Sequence, residues 1–417
     1  MYFIYTLVFA AGLILAFPYY LVRFGKYLPT LKDRFGFLRV PQLHRSIWVH
    51  AVSVGEVKAV EKLLERLRRK FPEQPLVVST ATPTGQQLAK EWRGIVDHTL
   101  YFPIDLPWCV RRALKRVNPE LVIIAETEIW PNFLRECRER EVRVMMINGR
   151  ISDKSFPRYR LARRWLRRVF EDYTILGMQS ETDRMRIEAI GADPQKVTVF
   201  GNLKYDIGHL GRSLDDSLSR LLESWSCVWI AASTMAGEED LVLDAYQKLR
   251  RQHPQLKLVI APRHPERFDS VEEILKQRHL AFVRRTRLLD ERQLADVLLL
   301  DSIGELAATF QYADVVFMGG SLVPTGGHNI LEPARYRKPI VFGPHMENFR
   351  EMARLFLAAG AAIRLHKPSE LAATIAALLS NPRQASDLGT NAFKIVQQNS
   401  GATDRVLQVL QPAGAPR

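Results

Sequence analysis

The run Leu121-Val122-Ile123-Ile124-Ala125 is apolar at every position and stops abruptly at Glu126. A half-buried strand would alternate, because successive side chains point to opposite faces of a sheet. A run apolar throughout suits a strand covered on both faces, which is the condition of parallel sheets flanked by crossover helices. Segments of this kind recur, with helix-period segments between them. Residues 47–51 precede a helix expected over 56–70, where Val57, Val60, Leu63, Leu64, Leu67 and Phe71 share one face. A helix is expected over 85–92, and further strands at 76–80, 121–125, 142–147, 173–178 and 197–200. A second set of strands is expected at 228–232, 256–261, 281–283, 297–300, 315–318 and 339–342, with a helix over 237–252. Two such sets in 417 residues predict an α/β protein of two doubly wound parallel-sheet, Rossmann-like domains. Their boundary is expected in the polar stretch from Asp206 to Ser213. Such a pair is expected to leave a cleft at the carboxyl ends of both sheets, where ligands bind.

Charge narrows the partners. A formal net charge of +14 calls for nucleic acid, anionic lipid or a phosphorylated substrate. Residues 1–21 are apolar and uncharged, close to the roughly 20 needed to cross a bilayer core. Arg23, Lys26, Lys32, Arg34 and Arg39 follow at once. Secretory signals carry their positive charge before the apolar stretch, whereas here it comes after. Phe17-Pro18-Tyr19-Tyr20 suits an interfacial belt, so a membrane-anchor helix is expected over 1–22, with the body on the cytoplasmic side. A helix lying in the interface, or packed on the first domain, is the plainer alternative. Three scattered cysteines, no H-x-H, no H-E-x-x-H and no D-x-D lead to the expectation of reduced thiols and no metal.

Several short constellations follow predicted strands. Phe317-Met318-Gly319-Gly320-Ser321 is followed by Gly326-Gly327-His328-Asn329-Ile330-Leu331-Glu332-Pro333. Both glycine pairs are read as positions of positive φ and close ligand approach, leading to a helix N-terminus suited to phosphate. Glu332 could accept hydrogen bonds from a ribose diol. Ser53-Val54-Gly55-Glu56 offers either a carboxylate able to take a proton or a plain capping box. Glu126-Thr127-Glu128-Ile129-Trp130-Pro131 offers acids facing a ligand or an ordinary helix start. Lys204, in Gly201-Asn202-Leu203-Lys204-Tyr205-Asp206, reaches a phosphate or carboxylate, or simply solvent. In Pro262-Arg263-His264-Pro265 two prolines stiffen a loop whose arginine suits bidentate phosphate contact. Ser233-Thr234 reads as a phosphate contact or a cap of the next helix, and Gly304-Glu305-Leu306 as a plain helix start. Residues 158–168 read as one basic helix, either simply solvated or meeting anionic lipid, a phosphorylated head group or nucleic acid.

Taken in order, Trp-Val-His-Ala-x-Ser-Val-Gly-Glu (48–56), Glu-Thr-Glu-Ile-Trp-Pro (126–131), Gly-Asn-Leu-Lys-Tyr-Asp (201–206), Pro-Arg-His (262–264) and Gly-Gly-His-Asn-Ile-Leu-Glu-Pro (326–333) resemble the Kdo transferase family. Members add 3-deoxy-D-manno-octulosonic acid (Kdo) to a lipid A precursor in lipopolysaccharide synthesis. The resemblance implies a GT-B fold, CMP-Kdo as donor and the bisphosphorylated tetraacyl disaccharide, lipid IVA, as acceptor. It implies an inverting reaction without metal or other cofactor at the inner membrane, among anionic lipids, with no nucleic acid partner. By motif, Glu56 would be the general base, and Glu126 and Lys204 would stabilise the transition state. Arg263, His264, Gly304, Glu305, Leu306, Asn329, Ile330, Leu331 and Glu332 would bind the CMP of the donor.

The resulting domain plan is an anchor over 1–22, an acceptor domain over 23–206 and a donor domain over 207–390. A terminal helix over 391–417 is expected to return to the first domain. Two competing readings are a sugar-nucleotide epimerase of the same fold and a non-catalytic, membrane-tethered basic protein that binds nucleic acid.

Overall fold

The computed structural model describes residues 2–23, 25–92, 94–206, 214–288 and 295–410, with side chains omitted for 17–27. The chain divides into two compact units, Met1–Gly208 with Asn399–Arg417, and His209–Gln398. The expected boundary stretch lies outside the described residues from 207 to 213.

The first unit holds a seven-stranded parallel sheet of β1 (Ser46–His50), β2 (Leu76–Thr80), β3 (His98–Tyr101), β4 (Pro119–Ala125), β5 (Arg143–Gly149), β6 (Ile175–Met178) and β7 (Val197–Val199). The order is β3-β2-β1-β4-β5-β6-β7, so direction of growth reverses between β1 and β4. Ile47 pairs with both Leu76 and Leu121, and Val49 with Val78 and Ile123. The apolar run of β4 is explained by its two covered faces. Val122 and Ile124 enter one core with Trp48, Val77 and Met146. Leu121, Ile123 and Ala125 enter the other with Val49, Val78 and Ile147. Truncating Leu121, Ile123 or Ile124 to Ala costs about 2–5 kcal/mol.

The second unit repeats the plan with β8 (Cys227–Thr234), β9 (Leu256–Pro262), β10 (Phe282–Arg284), β11 (Val297–Leu299), β12 (Val315–Met318), β13 (Ile340–Phe342) and β14 (Ile363–Arg364). Its order, β10-β11-β9-β8-β12-β13-β14, reverses between β8 and β12. Both sheets are therefore doubly wound, as expected, and each has one strand more than the apolar runs foretold. The additions are β3, which is polar at three of its four positions, and the two-residue β14.

Two other expectations change. The basic run is two helices, Phe156–Leu161 and Arg163–Phe170, which meet at Ala162. The last long helix begins at Pro382 rather than near 391. A short helix, Ala402–Gln408, then follows in the first unit. There Ala402, Val406, Leu407 and Leu410 join the core beside Val57 and Leu67. Asp206 accepts the N–H of Gly401 at 2.6 Å and that of Thr403, and Arg405 donates to the Phe200 carbonyl at 2.6 Å.

The N-terminal helix Tyr2–Arg23 lies partly on the first unit. Tyr2 donates to Asp172, and Thr6 bonds Asn132 at 3.0 Å. The Tyr5 ring meets Trp165 of the second basic helix, 5.9 Å between centroids. Phe3, Ile4, Leu7, Val8, Ile14 and Leu15 stay exposed. Among the described residues no helix is long and apolar enough to cross a membrane.

Candidate active site

In open parallel sheets ligands gather where strand order reverses, at the carboxyl ends of the strands. Glu56 and Glu126 follow the strands that flank the first reversal, and Ser233 and Gly319 lie at the ends of those that flank the second, while Arg263 follows the neighbouring β9, Gly304 the more distant β11 and Lys204 the edge strand β7.

In the first unit, β1 leads to Glu56 and β4 leads to Glu126. Glu56 sits in the first turn of helix Val54–Lys70, with a carboxylate only partly open to solvent. One oxygen accepts the Val52 N–H at 2.7 Å and the other the Ser53 hydroxyl at 2.8 Å. The anticipated capping box does not form: the Ser53 side chain accepts nothing from the helix, and Glu56 takes the N–H of Val52, one residue before the cap. Burial raises the Glu56 pKa above the ordinary 4.5, and Glu126 pushes it further up while Lys204 pulls it down. Glu126 holds φ at +62°, an uncommon conformation for a residue with a side chain and a mark of strain at functional positions. Its N–H is held by the Ile147 carbonyl at 2.8 Å, and its carboxylate lies 3.7 Å from the Lys204 Nζ. Lys204 rides on the turn Leu203–Tyr205, which Asn148 fixes by accepting the Leu203 N–H at 3.0 Å. Glu56, Glu126 and Lys204 thus form one electrostatic group.

Glu128 belongs with them. Burial first, and then the Glu56 charge, push its pKa from 4.5 to about 7. The signal was present as the second acid of the Glu126-Thr127-Glu128 run. His50, inside the same motif as Glu56, is by contrast a core residue. Its ring is fully buried, stacks on Phe102 with centroids 3.9 Å apart and bonds the Ser79 hydroxyl at 2.9 Å. Burial drives its pKa down to about 3, so it stays neutral.

In the second unit, Arg263 and His264 follow β9 and are exposed. The Arg263 backbone is tied to the Thr234 carbonyl at 2.9 Å, while no ion pair holds its guanidinium among the described residues. His264 has Glu266 3.8 Å away. Gly304 takes φ +94°, and Leu306 opens a short helix. The Glu305 carboxylate is clasped by Arg285, at 2.9 and 2.8 Å, so this segment has chiefly backbone to offer a ligand. Asn329 accepts the Leu331 N–H at 3.1 Å and lies 3.3 Å from Glu332, while Ile330 and Leu331 are buried. The helix that follows, Leu331–Arg335, has five residues. Its dipole is correspondingly small, and local N–H groups matter more there than a macrodipole.

The first glycine pair departs from expectation. Gly320 has φ +65°, but Gly319 does not, and serves instead for close approach. A Cβ on Gly319 would stand 2.6 Å from the Ser233 carbonyl oxygen at the end of β8. The N–H groups of this turn are already taken by Glu238, which accepts from Gly320 at 2.6 Å, Ser321 at 2.9 Å and Leu322 at 2.7 Å. The turn therefore holds an internal carboxylate where the sequence suggested an open cradle. Among the described residues, no group of three or more His, Cys, Asp or Glu side chains is arranged to hold a metal ion.

Comparison with known proteins follows the same division. Residues 29–207 match the family described as 3-deoxy-D-manno-octulosonic-acid transferase (kdotransferase), and residues 238–395 match glycosyl transferases group 1. A 3-deoxy-D-manno-octulosonic acid transferase of Haemophilus influenzae is 33% identical, over 94% of this chain and 93% of the relative. Its counterpart in Bordetella pertussis is 31% identical, over 92% and 91%. Among solved structures, UDP-GlcNAc 2-epimerase from Neisseria meningitidis superposes with a TM-score of 0.54 at 11% identity, over 87% of this chain and 98% of that one. A glycosyltransferase from Rickettsia africae gives 0.51 at 12%, over 88% and 97%. At such identities these two speak for the fold alone.

Proposed function

Since this chain belongs to the 3-deoxy-D-manno-octulosonic acid transferase family and is a glycosyltransferase that transfers Kdo, we propose that its donor is CMP-Kdo and its acceptor the bisphosphorylated tetraacyl disaccharide precursor of lipid A. In this reading Glu56 takes the proton of an acceptor hydroxyl as that oxygen attacks the anomeric carbon of Kdo. The attack comes opposite the bond to CMP, so configuration inverts. The anomeric carbon–oxygen bond breaks with its electron pair on the departing phosphate. No metal or other cofactor takes part.

The observation that carries the proposal is the meeting of Glu56, Glu126 and Lys204 where the first sheet reverses. A raised pKa makes Glu56 a better base than a free glutamate, since proton acceptance improves as the pKa approaches the working pH. Lys204, 3.7 Å from Glu126, moderates the negative charge gathered there. Arg263, exposed and outside any described ion pair, suits the charge that develops on departing CMP. Asn329–Glu332 and the Gly304 segment are assigned to the cytidine and ribose.

We assign the chain to the inner face of the cytoplasmic membrane, anchored through its N-terminal helix. The exposed Phe3, Ile4, Leu7, Val8, Ile14 and Leu15, with the basic helices beside them, support contact with anionic lipid.

The test is incubation of the full chain with CMP-Kdo and the tetraacyl disaccharide bisphosphate, with product read by mass and repeated in EDTA. Products heavier by whole Kdo units, formed equally with chelator, are expected. Absence of product from folded protein overturns the donor and acceptor assignment. Flotation with anionic vesicles tests the membrane assignment separately.

A further inference from the structure

Glu238 opens helix Glu238–Arg250, directly after the turn that leaves β8, and its side chain is fully buried. No cation is paired with it among the described residues. Its four contacts are backbone N–H groups. Besides those of Gly320, Ser321 and Leu322, it accepts the Met235 N–H at 3.0 Å. Consecutive N–H groups folded around one point form an anion-binding concavity. Here the anion is part of the chain. A buried carboxylate left without such donors is costly, so turn and acid each require the other.

The turn then sets what comes after it. The Gly320 carbonyl accepts the Gly327 N–H at 2.7 Å and the Thr325 hydroxyl at 2.9 Å. The Ser321 hydroxyl accepts the Gly343 N–H at 2.8 Å, tying in the end of β13. Gly320 also lies under the His328 ring, where a Cβ would come within 2.8 Å of Nε2. From Glu238 a continuous set of contacts runs through Gly320 to 325–328, and Asn329 comes next.

We propose that Glu238 is the positioning residue of the donor site. Its carboxylate fills the concavity of residues 320–322 from inside. The loop thus holds its shape before any ligand arrives, and the donor phosphate is directed to Arg263 and the second glycine turn. This rests on the CMP-Kdo reading above.

The test compares wild-type, Glu238→Gln and Glu238→Ala in CMP binding and steady-state kinetics. Glu238→Gln keeps the volume but sets an amide N–H₂ against N–H donors. The Kd for CMP and the KM for CMP-Kdo are expected to rise by about tenfold or more, because buried donors lose their acceptor. The acceptor KM stays unchanged and kcat at saturating donor changes little. In Glu238→Ala the concavity is vacant, and added formate is expected to restore CMP affinity. Unchanged CMP affinity in Glu238→Gln overturns the proposal. So does a Glu238→Ala defect indifferent to formate. If wild-type binds no CMP, the donor reading falls and takes this one with it. Should neither variant fold, hydrogen exchange on wild-type decides. The Gly320–Leu322 amides are then expected to be protected without ligand and no more protected with CMP, and protection that appears only with CMP overturns the proposal.

Discussion

Replacing Glu128 by Gln isolates a charge that the first unit holds at a cost. The carboxyl is largely buried near Glu56 and Glu126, and its pKa rises from 4.5 to about 7. The folded chain therefore keeps this proton over a range where the unfolded chain has lost it. Stability falls as pH climbs from about 4.5 to about 7, then levels off. At about 1.4 kcal/mol per pH unit the full effect is about 3 kcal/mol, and partial exposure brings it to about 1.5. Gln has a similar shape and does not titrate. Glu128→Gln is therefore expected to match wild-type near pH 5 and to exceed it by about 1.5 kcal/mol at pH 8. Urea unfolding at the two pH values, followed on the transition that the variant moves, gives the comparison. An equal stability difference at both pH values would refute the argument. So would a gain confined to low pH.

Three further outcomes are expected. Glu56→Ala should lower kcat by about 10²–10⁴-fold, the usual worth of a general base, with CMP affinity near wild-type by calorimetry. Retained turnover removes Glu56 from the mechanism. Lys204→Met should raise the Glu56 pKa, since Lys204 lowers it, and so move the acid limb of the rate profile upward. A limb that stays put separates Lys204 from Glu56. Gly319→Ala would press a methyl against backbone atoms of Ser233, Thr234 and Ala232 at 2.6–2.9 Å. A loss of about 3 kcal/mol in unfolding free energy is expected, and an unmoved urea midpoint contradicts the close-approach reading.

Strands that are continuous apolar runs could be read directly, because burial on both faces leaves an unmistakable pattern. β4 and β12 are examples. His98–Tyr101 has only one fully buried residue, so its pattern is diluted. Ile363–Arg364 is too short to carry a period. The break at Ala162 was hidden by arginines spread across both basic helices, with nothing at the junction to punctuate them. Glu56, Glu126 and Lys204 were visible because each closes a strand-like run. Glu238 was not visible. As an acid after Gly237 it reads as a helix start, and three of its four partners lie 82 to 84 residues further on. Only the adjacency of β8 and β12 brings them together.

The return of the chain after Gln398 bears on how the protein is made. The first sheet is complete by residue 199, yet part of the apolar layer against it comes from residues 402–410. Between lie about 190 residues belonging to the other unit. At about 5–20 residues per second, a ribosome needs roughly 10–40 s to traverse them. During that interval the nascent first unit shows an uncovered strip around Val57 and Leu67, with Asp206 lacking its N–H partners. Synthesis order therefore delays final closure of the first-made half until residues 402–410 have been made, and leaves it exposed to chaperones until then.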